Sequence, residues 1–163
     1  MDTIDGVVIG LVTQVQPGQV KVNLPWLADD QESDWIRIAT AMSGNNRGSF
    51  LMPELQDEVL VAFDQGDPRL PYIVGFLWNG QDNPPGQDVR DRRITSKNGH
   101  EVRFLDATPS QGSLGALVIE DAHGNRIVMS NGKITIQSQG LLQIDASVIT
   151  MNGRIVAGGP NPI

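Results

Sequence analysis

Two histidines, His100 and His123, are the residues of this chain best suited to hold a metal or carry a proton. Each lies beside a turn glycine, Gly99 or Gly124. A histidine metal site needs two or more ligands at fixed spacing. Neither His-x-His nor His-x-x-x-His occurs, so both are read as solvated turn or strand residues. Carboxylates come in adjacent pairs, Asp29-Asp30, Asp57-Glu58 and Glu120-Asp121. Neighbours on a strand point to opposite faces, whereas glycosidase chemistry needs two carboxylates across a cleft; the pairs are read as solvated charges. Ser43, Ser49 and Ser130 stand in no Gly-x-Ser-x-Gly context. The glycines of SGNNRGS precede no helix and no lysine follows them, which argues against a phosphate loop. Cysteine is absent, which excludes disulfides and thiolate chemistry. The sequence therefore predicts no catalytic residue, no cofactor and no metal.

Aromatic residues could form a stacking platform for nucleic acid. Trp26, Trp35, Phe50, Phe63, Tyr72, Phe76 and Trp78 lie in the first half of the chain. That half is strongly acidic. Residues 1–80 carry four bases against eleven acids, and residues 81–163 carry eight of each, so the whole net charge of −7 sits in the first half. A nucleic-acid binder needs a basic footprint. The aromatics are accordingly expected to pack the core and close the mouth of a barrel.

The elements that must position these residues are short. Eighteen glycines and ten prolines in 163 residues suit many turns and brief strands. No apolar run reaches the roughly 20 residues that span a bilayer, and the acidic start MDTIDG is unlike a secretory signal. GVVIGLVTQV runs to the Gln16-Pro17-Gly18 turn, and QVKVNL alternates as its hairpin partner. WIRIATA, DEVLVAF and PYIVGFLW complete a set of about five strands before residue 80. Closing them removes exposed edges, and a five-stranded barrel of this size has the OB-fold pattern.

Residues 81–91 form a Pro- and Gly-containing linker between a domain at 1–80 and a second at 92–163. In the second, short apolar runs recur roughly every eight residues between Gly, Asn, Ser or Asp. Apolar residues alternate within each run: Leu117 and Ile119, Ile127 and Met129, Ile134 and Ile136, Leu142 and Ile144, Ile149 and Met151. A period of two marks a half-buried strand, and Asn131-Gly132 and Asn152-Gly153 are turn dipeptides. Such a ribbon has one apolar face and no helix to cover it. Three copies winding round one axis would bury these ten residues as a trimer core; a monomeric sandwich or a single-chain solenoid would bury them otherwise.

The order of segments in the first half carries a resemblance. GVVIGLVTQVQ, GQVKVNLPWL, Phe50-Leu51-Met52-Pro53-Glu54, QDEVLVAF and GDPRLPYIVG follow one another over about residues 5–80. This resembles the OB domain of the spike proteins of contractile injection machines, a family that includes phage baseplate assembly protein V and the VgrG proteins of type VI secretion. The resemblance implies an all-β chain, an OB barrel followed by an intertwined trimeric β-helix that forms a needle. It implies a homotrimer on a separate baseplate hub protein, transient contact with a target membrane, and no nucleic acid. It implies assembly in the cytoplasm, without a signal peptide, into a phage tail or related particle. Iron-tipped spikes use a His-x-His near the C-terminus, and residues 151–163 contain none. A PAAR-type tip protein is then expected at Ile155, Pro160, Pro162 and Ile163. Two other readings compete: an OB-type binding module for nucleic acid or glycan, and a cell-wall hydrolase.

Overall fold

A computed structural model describes residues 3–25, 32–108 and 112–156. The protein is all-β, with no α-helix among these residues. It divides into two compact units, Met1–Pro84 and Pro85–Ile163.

The first unit is a closed barrel. Its strands are β1 (Val7–Gln16), β2 (Gln19–Asn23), β3 (Ile36–Ile38), β6 (Glu58–Phe63) and β7 (Pro71–Leu77). Between β3 and β6, β4 (Ser43–Gly44) and β5 (Arg47–Gly48) pair as a small separate hairpin. The barrel order is β1-β2-β3-β7-β6, and β6 returns to β1. All pairs are antiparallel except β3 with β7. That parallel seam lets the sheet close with no free edge. The register shifts between Val12 and Gln14 on β1, and again beside Leu60 and Val61 where β6 meets β7. Such bulges sharpen the twist that closure needs.

Alternation builds the barrel core. Val20 and Val22 of β2, and Val59 and Val61 of β6, point inward and are fully buried. Val12, Leu24, Ile36 and Ile73 complete the core, with Val8, Ile38, Met52 and Phe63 packed against it. Gly10 packs closely on β2: a Cβ there would meet Leu24 Cδ2 at 3.2 Å and the carbonyl oxygen of Asn23 at 3.3 Å, so those neighbours would have to give way by a few tenths of an ångström. Glu32 ties β1 to β2. It accepts hydrogen bonds from Thr13 Oγ1 at 2.7 Å, from the Gln14 amide and from Lys21 Nζ at 3.1 Å. The Thr13 bond, more than the Lys21 charge, holds its carboxyl below the ordinary range.

The expected aromatic core is not observed. The interior is aliphatic, and Trp78 and Phe50 are each 69% exposed, with Phe76 also at the surface. Small barrels close around branched side chains of the valine and isoleucine type, and large rings fit poorly in so narrow an interior. Of the seven aromatics named from sequence, Phe63 alone packs against the core cluster; Trp26 lies outside the described residues.

The second unit is a meander of five antiparallel strands: β8 (Asp91–Thr95), β9 (Glu101–Leu105), β10 (Ala116–Glu120), β11 (Arg126–Ser130) and β12 (Lys133–Gln137). The β11–β12 turn places Asn131 and Gly132 at φ of 50° and 72°. Positive φ at both central residues is the tight hairpin geometry that Asn-Gly selects. At the β10–β11 turn the Asp121 carboxylate accepts from the backbone N–H groups of His123 and Asn125 and from the Asn125 amide. These bonds, the Asn125 side chain foremost, lower its pKa. Gly115 enters β10 with φ +93°, and a Cβ there would stand 1.7 Å from the carbonyl oxygen of Leu105. Farther on, β13 (Thr150–Met151) and β14 (Arg154–Ile155) form a minimal hairpin.

Candidate functional site

The second unit is a single sheet with two unlike faces. Register decides which side chains share a face. Ile94 of β8 stands opposite Val102 of β9, Val102 opposite Ile119 of β10, Ile119 opposite Ile127 of β11, and Ile127 opposite Ile136 of β12. The neighbouring row runs Phe104, Leu117, Met129, Ile134 across β9 to β12. Nine apolar side chains thus make two rows, one of five across β8–β12 and one of four across β9–β12, with Arg92 at the β8 end of the shorter row. The row from Phe104 to Ile134, with the turns beside it, lines a depression of about 580 Å³.

These side chains meet no second layer within their own unit. Exposure runs from 37% at Ile127 to 67% at Ile134, and only Leu117 and Met129 are half-buried. A contiguous apolar patch of this kind marks a surface that something else covers.

The opposite face is charged and pairs largely within itself, although Asp91 Oδ1, Arg93 Nε and Thr95 Oγ1 are buried without a hydrogen-bond partner among the described residues. Arg93 pairs with Asp91 and with Glu101, the latter at 3.0 Å. Arg103 lies 2.7 Å from Glu101 and 3.1 Å from Glu120. Acid and base alternate along β8 and β9, and Glu120 of β10 joins them through Arg103. Val118, at the centre of this face, is buried beneath them. The usual arrangement, polar residues exposed and apolar ones covered, is reversed in a single copy.

Six of the ten residues assigned from sequence to a trimer core lie together on the apolar face: Leu117, Ile119, Ile127, Met129, Ile134 and Ile136. Leu142 and Ile144 do not join them. They sit in an extended stretch with no ladder partner. Ile149 is half-buried, and Met151 stands on β13, apart from the five-stranded sheet. Ile155 is exposed on β14; Pro160, Pro162 and Ile163 lie outside the described residues. Ile94, Val102 and Phe104 complete the face and were absent from the sequence assignment. The alternation in RRIT and EVRFL was the signal for them.

The chemistry-bearing residues are not gathered. Among the described residues no three of His, Asp or Glu are placed to hold a metal ion. His100 is exposed, and its Nδ1 accepts from the backbone N–H of Ala122 at 3.3 Å. His123 is exposed in the β10–β11 turn.

The barrel decides the family. Residues 4–78 match the type VI secretion system/phage-baseplate injector OB domain. The barrel belongs to that injector OB-domain family. It is 33% identical over 113 residues to the spike protein VgrG5 of Pseudomonas aeruginosa, covering 67% of this chain and 14% of that one. It is 39% identical over 124 residues to VgrG1a of the same organism, covering 61% and 19%. VgrG3 of Vibrio cholerae is 35% identical over 72 residues, covering 42% and 7%. The chain thus spans less than a fifth of the length of these relatives. Among its described residues no helix is long and apolar enough to cross a membrane.

Proposed function

We propose that this chain is the central spike of a contractile injection machine, a homotrimer whose C-terminal ribbons form a needle on the baseplate hub. The observation that carries this reading is the uncovered apolar face of β8–β12. Adjacent strands lie about 4.8 Å apart, so five strands make a wall about 20 Å long. The two apolar rows run along that wall, across the strands. Three walls related by an axis parallel to the rows would turn them inward and leave the Arg-Glu ladders facing water. The charged face then keeps the shaft soluble, and the apolar rows form its spine.

A shaft of this kind suits axial load. Each strand is tied to its neighbours by a ladder of backbone hydrogen bonds along the direction of force. Burying an Ile or Leu contributes about 1.5–3 kcal/mol, and nine such positions per chain oppose local opening. The extended 141–149 stretch would find its ladder partners in the other copies and lengthen the needle. Exposed Ile155 stands where a PAAR-type tip protein would meet the shaft. The chain acts mechanically, is assembled in the cytoplasm with its particle, and touches the target envelope only on firing.

Imaging contractile particles assembled with and without this chain tests the reading. A spike at the tube's end is expected in the first and is absent from the second. An unchanged spike in particles that lack the chain would refute it.

A further inference from the structure

Two grooves flank the Phe50-Leu51-Met52 segment of the barrel, and their charges are opposite. One, of about 510 Å³, is floored by Met52, Phe76 and Trp78 and edged by Asp57, Glu58 and Asp82, with no cation among its lining residues. The other, of about 320 Å³, is lined by Ile38, Met42 and Phe50 and carries Arg37 and Arg47, with no carboxylate. Arg37 stacks on Tyr72, 5.0 Å from the ring centre. Arg47 makes no ion pair among the described residues; it is exposed on β5, and its guanidinium lies over Gly44 of the paired strand. Each groove thus offers what the other lacks: an acidic aromatic trough, and a cation on an apolar knuckle.

We propose that the acidic aromatic groove of one barrel receives the Arg47 hairpin of a second copy, closing three barrels into a head-to-tail ring. Complementary patches at different places on one subunit make a heterologous contact, which closes into a ring when the rotation allows. The arginine would sit against Trp78, a favoured cation–π pairing, and face the carboxylates of the rim. A basic segment of a hub protein could fill the acidic groove, but it would leave the Arg47 groove unused; a second copy satisfies both. The inference rests on the homotrimer proposed above and extends it from the shaft to the barrel.

The absence of native cysteine permits a direct test on the full chain. Arg47→Cys and Asp82→Cys are introduced together and treated with a short bis-maleimide. Covalent dimers and trimers are expected from the double variant and only background from either single one. A chain trimeric by native mass that yields no cross-link overturns the ring and leaves the shaft trimer standing. A monomeric chain refutes both. A charge swap examines the same contact without cysteine, reading the Trp78 share of fluorescence against Trp78→Phe. Arg47→Glu is expected to raise acrylamide quenching of that share several-fold, and Arg47→Glu with Asp82→Arg to restore protection. Quenching unmoved by Arg47→Glu overturns the proposal.

Discussion

Ile136→Asp places a carboxylate on the apolar face without touching the core of either unit. Ile136 is 55% exposed on the edge strand β12, so one copy loses little by the change, below about 1 kcal/mol of strand preference. The proposed needle would lose far more. Covering the exposed half of an isoleucine contributes on the order of 1 kcal/mol per chain. An aspartate forfeits that gain, and taking an unpaired carboxylate out of water costs several kcal/mol more. Three copies set three like charges round one axis. The total is at least about 10 kcal/mol per trimer, or about seven decades in the association constant. Sedimentation at micromolar concentration is expected to give a folded monomer, with the far-ultraviolet signature of β-structure intact. Thr135→Asp, on the opposite face of the same strand, is expected to remain trimeric. A trimeric Ile136→Asp chain would show that the inward face has been misassigned.

Other perturbations address the barrel and the sheet separately. Ile73→Ala opens a cavity at a fully buried core position and is expected to lower barrel stability by about 2–5 kcal/mol in denaturant titration; a loss under about 1 kcal/mol would contradict the packing described. Gly115→Ala forces a Cβ against the Leu105 carbonyl at positive φ, so hydrogen exchange is expected to rise across β9 and β10 while the barrel amides stay protected. Equal protection in both sheets would refute that close approach. The Arg69 guanidinium beside Asp67 holds its carboxyl at about 2, below the ordinary 3.8. A depressed folded pKa means the turn's contribution is present above the ordinary value and is lost as pH falls through about 2. Carboxyl NMR should therefore place the midpoint near 2, and Arg69→Ala should move it up towards 3.8; a wild-type midpoint already at 3.8 would contradict the pairing.

The barrel strands were legible because alternation and turn chemistry agree in them. QVKVN buries Val20 and Val22, and EVLVAF buries Val59 and Val61. The parallel β3–β7 seam was not legible, since three-residue β3 says nothing of its partner. Nor was the outward placement of Phe50, Phe76 and Trp78, because hydrophobicity alone does not tell a core residue from an interface residue. In the C-terminal sheet the apolar alternation identified the face but not its extent. Ile94, Val102 and Phe104 fall within the 92–163 domain but outside the ten residues assigned to the core, and register aligns them with Ile119 and Leu117. Leu142 and Ile144 carry the same alternation yet gain no ladder, although β12 ends the sheet with an open edge, so alternation alone does not predict pairing.

Native mass spectrometry of the full chain at micromolar concentration tests the central claim most directly. In the proposed homotrimer two further copies cover the apolar wall of β8–β12, so the dominant species is expected at three times the 17.7 kDa of one chain. A stable, soluble species at 17.7 kDa, with Ile119, Ile127 and Ile136 open to water, would contradict it.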